Sequence, residues 1–509
     1  MLRFLCLLPL LFAASLAAQA LPDPNGSEGW KTVASKADVL ALPEDTLHVH
    51  AYKLDDAGLE ALKRLKALQS LTLDGTYTDA GIKHLGELKT LRDLQLDCAR
   101  LGDAAMAPIG KLADLEYLGF ERCTRLSDKG LRELSGLRKV TWLIFHGDNW
   151  DESGRSTNTA ITDTGLRSLS GMTALRRLDL GSLQNAGDGA LADWGPRLKD
   201  LTDLTLAYCG NLTEAAFRGL ARCASLKSIT LIGQKCPGEA AFKQIAGLKA
   251  LAELTLTLCD GMDDLCLGAL GKSKSLKSLT FSGMPGFGDA GLTELAKSKT
   301  LRALSLTQMQ SAGGPDDWPE DGELPGEVPP AKPAKKEQPK AKASDAGIKA
   351  LGKCESLREL TLVSLANVGD ATLLAFLDLP LETLAIRDCV NVTDKGMQVI
   401  GKMKTLVSLT LSALSFGPPG MVMGDDKPQM KVTNEGLRQL AGLENLALLD
   451  LSGMPITDTG LTHLHGMAGL RRLIVQQCPG ITDEGEAGLK TALPQVKVER
   501  EQEEGPPED

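Results

Sequence analysis

The sequence predicts an α/β solenoid: a right-handed curved horseshoe of about 16 turns, with a parallel β-sheet on its concave face and short helices on its convex face. Three observations predict it. First, apolar positions recur at a nearly fixed period. Leu71, Leu94, Leu118 and Leu143 are separated by 23, 24 and 25 residues, and Leu178, Leu204, Ile229, Leu254, Leu279 and Leu304 by 26, 25, 25, 25 and 25. The register resumes at Leu360, Leu384, Leu409, Leu449 and Leu473. Second, each copy opens with a two-residue alternation such as Leu71-Thr72-Leu73, which puts the leucines on one face of a short strand. Third, a Thr-Asp-x-Gly-Leu step follows, as at Thr78-Asp79-Ala80-Gly81-Ile82.

In that step Thr78 is a good helix N-cap, and Asp79 sets a negative charge at the positive end of the helix dipole. The step recurs at Ser127-Asp128, Thr162-Asp163, Thr213-Glu214, Thr393-Asp394, Thr457-Asp458 and Thr482-Asp483. Neither strand nor helix can bury its apolar stripe alone, so each copy needs its neighbours. Parallel strands stack about 4.8 Å apart and helices about 8–10 Å apart, which curves the array with the strands inside.

This pattern resembles the leucine-rich repeat family, in its cysteine-containing subtype, over Thr46 to Val498. In that subtype a Cys or Asn follows the strand and bonds the backbone of adjacent turns. Cys123, Cys209, Cys259, Cys389 and Cys478 each fall three residues after the last strand residue, and Cys98 falls two after Leu96. The resemblance makes them buried structural thiols rather than a disulfide framework. Copies two turns apart are too distant to bridge, so Cys98 and Cys123, on adjacent turns, are the one pair to check. Similar bacterial proteins act in protein–protein contacts at the cell surface or in the periplasm.

The first 20 residues read as a secretory signal, with Arg3, an apolar run from Leu5 to Ala18 and the small-x-small site Ala18-Gln19-Ala20. Its removal changes the net charge from −10 to −11 (−10 − 1). No later stretch is long and apolar enough to span a bilayer. The expected mature chain is therefore exported (periplasmic, cell-surface or extracellular) and monomeric, with an uncleaved, membrane-tethered form as the alternative. The acidic balance argues against nucleic acid and anionic membrane as partners. Residues 21–45 are expected to cap the first turn with Trp30, Val33, Val39 and Leu40. Residues 46–498 form the solenoid, interrupted by loops at 147–159, 310–343 and 415–431. The second loop is rich in Pro, Gly, Ala and Lys and reads as disordered, as does the acidic tail 499–509. Val496 and Val498 suit a last partial strand.

Catalytic signals are poor. Gly347–Lys353 and Gly396–Lys402 match G-x-x-x-x-G-K, but Cys354 and Met403 stand where a phosphate loop needs Ser or Thr. His48 and His50 alternate on the first strand beside Asp74 and lack a fourth ligand, so no metal or other cofactor is expected. Thr205, Thr230, Thr255, Thr280, Ser305, Thr361 and Thr410 form an outward hydroxyl column that β-propensity alone explains.

The early turns differ. Tyr117 and Trp142 occupy equivalent positions on neighbouring strands, Asp74, Asp97, Glu121 and His146 form an outward column alongside, and the first loop brings Trp150. Exposed aromatics ringed by charge are what interface hot spots look like. The alternative is that the loop folds down and Trp150 covers Trp142. The expected function is a non-enzymatic, exported scaffold binding a protein, or else a carbohydrate, on the concave face. The rivals are an enzyme on an extracellular polymer, with Asp97 and Glu121 as its acid pair, and a structural envelope component.

Overall fold

The structure, a computed structural model, describes residues 29–75, 77–97, 99–151, 154–209, 212–283, 286–308, 343–413 and 430–500. The signal at 1–20, almost all of the 310–343 and 415–431 loops, and the tail beyond 500 lie outside these residues. Among the described residues eighteen strands form a parallel sheet whose turns return through short helices, an α/β solenoid of the leucine-rich repeat type. Two compact units divide the chain, residues 1–255 and 256–509.

In the first unit the strands are β1 (Trp30–Val33), β2 (His48–Leu54), β3 (Ser70–Gly75), β4 (Asp93–Asp97), β5 (Tyr117–Glu121), β6 (Trp142–His146), β7 (Asp148–Asp151), β8 (Gly154–Thr162), β9 (Arg177–Gly181), β10 (Leu183–Asn185), β11 (Asp203–Ala207) and β12 (Ser228–Ile232). Register follows the sequence period: Leu71 lies opposite Leu94, Leu94 opposite Leu118, Leu118 opposite Leu143, Leu143 opposite Leu178, Leu178 opposite Leu204 and Leu204 opposite Ile229. These positions are buried, and each leucine out of water is worth about 2 kcal/mol. The cap is a turn of the sheet in its own right, because β1 pairs with β2 from Trp30 opposite His48 to Val33 opposite Ala51. Val33 and Val39 are buried as expected, but Leu40 is 53% exposed and covers nothing.

The 147–159 segment, expected as a loop, is a hairpin. Its strands β7 and β8 pair antiparallel, and β8 continues the ladder onto β10 in a second, three-stranded sheet. Asn158 ends this excursion. Its Nδ2 donates to the carbonyls of Cys123 (2.5 Å) and Leu126 (2.8 Å), while Oδ1 accepts from the N–H groups of Ala160 (3.0 Å) and Ile161 (2.9 Å). It is fully buried and occupies the position that a cysteine takes in neighbouring turns.

β13 (Glu253–Thr257) lies at the division. The second unit carries β14 (Ser278–Ser282), β15 (Ala303–Thr307), β16 (Glu359–Val363), β17 (Thr383–Arg387), β18 (Ser408–Ser412), β19 (Leu448–Asp450), β20 (Arg472–Ile474) and β21 (Lys497–Glu499). Leu279, Leu304, Leu360, Leu384, Leu409, Leu449, Leu473 and Val498 face one another in turn. The last strand thus forms where Val498 suggested it. Glu499, assigned to the tail from sequence, belongs to β21 instead, because the Arg472 guanidinium grips both its oxygens at 3.0 and 2.7 Å.

Nine cysteines among the described residues are free thiols, and all of these but Cys236 are buried. Burial pushes the Cys209 and Cys389 thiols up to about 12, and each Sγ donates to a carbonyl of the preceding turn, Leu180 at 3.5 Å and Leu362 at 3.7 Å. Cys478 does the same to Leu451 at 3.2 Å. The residue before each is left-handed, as at Tyr208 (φ 49°), Asp388 (φ 51°) and Gln477 (φ 53°), and this turns the chain inward so that sulfur reaches back. Cys98 lies outside the described residues, and with it the pairing with Cys123. Because the thiolate is the reactive form, Cys209, Cys389 and Cys478 are expected to resist iodoacetamide at pH 8 in the folded protein and to react fully in denaturant. Mass spectrometry of the alkylated chain checks this, and rapid labelling of the native protein would contradict it.

The Thr-Asp-x-Gly step does more than cap its own helix. The Asp reaches forward to the next turn's cap, and where that cap is Thr or Ser it accepts from both the backbone N–H and the hydroxyl. In the first unit Asp56 accepts from Thr78 (N 2.7 Å, Oγ1 2.7 Å), Asp103 from Ser127 (2.8 and 2.6 Å) and Asp128 from Thr162 (2.7 and 2.7 Å). In the second, Asp289 accepts from Ser344 (2.7 and 2.6 Å), Asp370 from Thr393 (2.8 and 2.7 Å) and Asp394 from Thr433 (2.8 and 2.7 Å). The Ser344 hydroxyl and N–H hold the Asp289 carboxyl below the usual carboxylate range. The glycine follows from the same geometry: a Cβ at Gly130 or Gly396 would stand 2.6 Å from the preceding Asp Oδ1. At Asp483 the ladder meets the guanidinium of Arg500 rather than a cap residue, and Arg500 also donates to the Ile481 carbonyl at 2.9 Å. No helix among the described residues is long and apolar enough to cross a membrane.

Candidate functional site

On the sheet face that points away from the helices, positions flanking the strand leucines alternate outward. Ile144, Asp179 and Thr205 therefore share one column and Tyr117, Trp142 and Arg177 another. Tyr117 and Trp142 touch, with ring centroids 5.1 Å apart and planes at 75°. They are not equally exposed, contrary to the expectation of two open aromatics. Tyr117 is 6% accessible, and desolvation raises its phenol far above the ordinary range. Its hydroxyl donates to Gln95 Oε1 across Gly119, where a Cβ would collide with both groups. Trp142 remains half-buried. Its Nε1 donates to Asp179 Oδ2 at 2.9 Å, and the Arg177 guanidinium lies 5.2 Å from its ring.

Burial raises the Asp179 carboxyl above the carboxylate range against the hydrogen bonds from Trp142 and Thr205, which lower it. The folded-state value is therefore above the unfolded one. The stability that the group contributes is complete only below the ordinary carboxylate range and is lost as pH rises through the raised value.

The acidic column is not the open cluster that the spacing suggested. Asp97 and Glu121 are paired neighbours, but they part company. Arg122, left-handed at φ 58°, donates from Nε to Asp97 Oδ1 at 2.8 Å and reaches Asp74 at 3.7 Å. Glu121 turns instead to His146, 3.0 Å from Nδ1, and to the Gln95 amide at 3.4 Å. Asp97 and Glu121 therefore do not converge as an acid pair, and Arg122 compensates the charge that would attract a basic partner or a bridging cation. Trp150 lies on β7 opposite Arg155, and its side chain is outside the described part of the structure. His48 stacks on Trp30 at 5.5 Å between ring centroids. Among the described residues no group of three or more His, Cys, Asp and Glu is placed to hold a metal ion.

Gln95, Arg177 and Asp179 complete this cluster and escaped the sequence reading. The signal for Asp179 was present: it is a carboxylate in a column whose following members are Thr205 and Thr230.

No protein-family model matches the sequence, and no curated protein matches it. Among solved structures, the chain is similar to an internalin from Listeria monocytogenes (18% identity, TM-score 0.38, covering 77% of this chain and 82% of that one). It is also similar to a leucine-rich repeat protein of Leptospira interrogans (17%, TM-score 0.43, 92% and 99%). A third is the yeast Rad7–Elc1 complex (15%, TM-score 0.41, 87% and 92%).

Proposed function

We propose that this chain is an exported, non-enzymatic scaffold that binds a protein partner on the concave face of its array, through the outward side chains of β4, β5, β6 and β9. The observation that carries the reading is Asp179. The next two strands carry threonine at this position, whereas Asp179 places a half-buried, desolvated carboxyl against the Trp142 indole. Its role is to hold the Trp142 indole by the Nε1 bond, with Arg177 against the ring, so that a half-buried aromatic stands in one fixed orientation. Pre-set aromatic and arginine anchors lose little side-chain freedom on association and dominate interface energies. The charges around them are matched within the chain, so the partner is selected by shape and by pairing with Trp142 and Arg177 rather than by a net field. Export rests on the Arg3, Leu5–Ala18 and Ala18-Gln19-Ala20 pattern.

The test uses the exported chain, whose first residue is expected by N-terminal sequencing to be Leu21. Immobilised, it is expected to capture a protein from the envelope of its source organism. Trp142→Ala should weaken that capture at least about tenfold while the thermal transition stays within a few degrees. Equal capture by the two forms would refute the site, and an intact leader on the envelope-associated chain would refute the processing.

A further inference from the structure

The segments entering β14 and β15 run Gly271-Lys272-Ser273-Lys274-Ser275-Leu276-Lys277-Ser278 and Ala296-Lys297-Ser298-Lys299-Thr300-Leu301-Arg302-Ala303, six cations without one acid. They lie on adjacent turns. Ser278 is opposite Ala303, the Arg302 N–H donates to the Lys277 carbonyl at 2.7 Å, and Thr300 Oγ1 donates to the Ser273 carbonyl at 3.2 Å. Ser273, Leu276, Ser298 and Leu301 point into the protein, which drives all six cations outward, and all six are exposed. On the next turn Lys353 and Arg358 continue the outer two rows while Glu355 takes the place of Lys299, since the Arg358 N–H donates to the Arg302 carbonyl at 2.7 Å.

Like charges on neighbouring turns repel. In the first unit the same kind of edge carries cross-turn ion pairs, Arg92 with Glu116 at 3.3 Å and Lys139 with Asp114 at 2.6 Å. Here, among the described residues, only Lys297 of the six has an acidic partner, Glu294 of its own helix. In a chain of net charge −10 acids were plentiful, yet none stands in these two segments.

We infer that this edge of the second unit binds a linear anionic polysaccharide, whose repeated sulfates or carboxylates relieve the repulsion. No aromatic side chain lies in either segment to stack a base, which disfavours single-stranded nucleic acid. No exposed apolar side chain lies between the lysines to enter a bilayer, which disfavours a membrane surface. Five lysines to one arginine supply point charges on flexible stems, suited to variably spaced sugar substituents more than to bidentate docking on phosphate.

Titration of the full chain with chondroitin sulfate at about 50 mM salt is expected to show binding whose log affinity falls linearly with log salt concentration. The triple variant Lys274→Ser, Lys299→Ser, Arg302→Ser should bind at least about tenfold more weakly and with a shallower salt slope. All three side chains are exposed, so the variant keeps the fold, and Trp142→Ala should bind the polysaccharide as the parent does. Failure of the parent to bind, equal affinity of the triple variant, loss of binding in Trp142→Ala, or tighter binding to single-stranded DNA or to phosphatidylglycerol vesicles would each overturn the assignment.

Discussion

Asn158→Ala is expected to remove about 3–5 kcal/mol of stability, since it takes a fully buried side chain away from two carbonyls and two N–H groups. The effect follows from position more than from size. Asn158 is the residue at which the chain, after the β7–β8 excursion, rejoins the turn that carries Leu143, and its amide ties that turn to the one before. Asn158→Asp keeps the shape yet sets an oxygen against the carbonyls of Cys123 and Leu126, so it should be as harmful as alanine. Asn158→Cys should recover part of the loss, because a thiol in this position elsewhere donates to the preceding turn. Urea denaturation of the three variants gives the order. A midpoint for Asn158→Ala within error of the parent would mean that the hairpin, and not the amide, holds this turn.

The second large effect is expected at the forward-reaching ladder. Asp370→Ala deletes two charge-assisted hydrogen bonds to Thr393 and should cost about 2–4 kcal/mol. Gly396→Ala attacks the same joint from the other side, its new methyl meeting Asp370 Oδ1, and should cost about 1–3 kcal/mol. The informative measurement is the double variant. With the carboxylate gone, the methyl group has lost its main obstacle, so the two losses should fall short of additivity by about 1 kcal/mol or more. Strict additivity in the denaturation midpoints would show that Gly396 serves its own helix rather than the contact.

The fold was legible because its signal is redundant. The register positions from Leu71 to Ile229 and from Leu279 to Leu473 pair with their equivalents on neighbouring strands, and the cysteine positions follow from the same count. The Thr-Asp step was legible only in part. Read within one turn, Asp79 is a charge at a helix start. Its further action as an acceptor for the next turn, here from the Gly102 N–H at 2.8 Å, needs the stacking distance that a linear text omits. Asn158 was hidden inside an apparent loop, although Asn158-Thr159-Ala160-Ile161-Thr162-Asp163 repeats the spacing of Cys123-Thr124-Arg125-Leu126-Ser127-Asp128. At the candidate site the contact of Tyr117 with Trp142 was readable from register. The burial of Tyr117 was not, because it depends on Gly119 leaving space for its hydroxyl to reach Gln95. The column of Asp74, Asp97, Glu121 and His146 was misjudged as one field because Arg122 sits one residue beyond it, in a left-handed turn that swings its guanidinium back onto Asp97.

The direction of the carboxylate ladder also bears on how such a chain can change length. Where an Asp meets a Thr or Ser cap one turn later, as at Asp103, Asp128, Asp370 and Asp394, a copy duplicated or excised in register leaves matching partners at both seams. The terminus is different, because Arg500 receives Asp483 where a Thr or Ser would otherwise stand. A further copy stacked on that turn would have to displace a guanidinium before its cap could dock on Asp483.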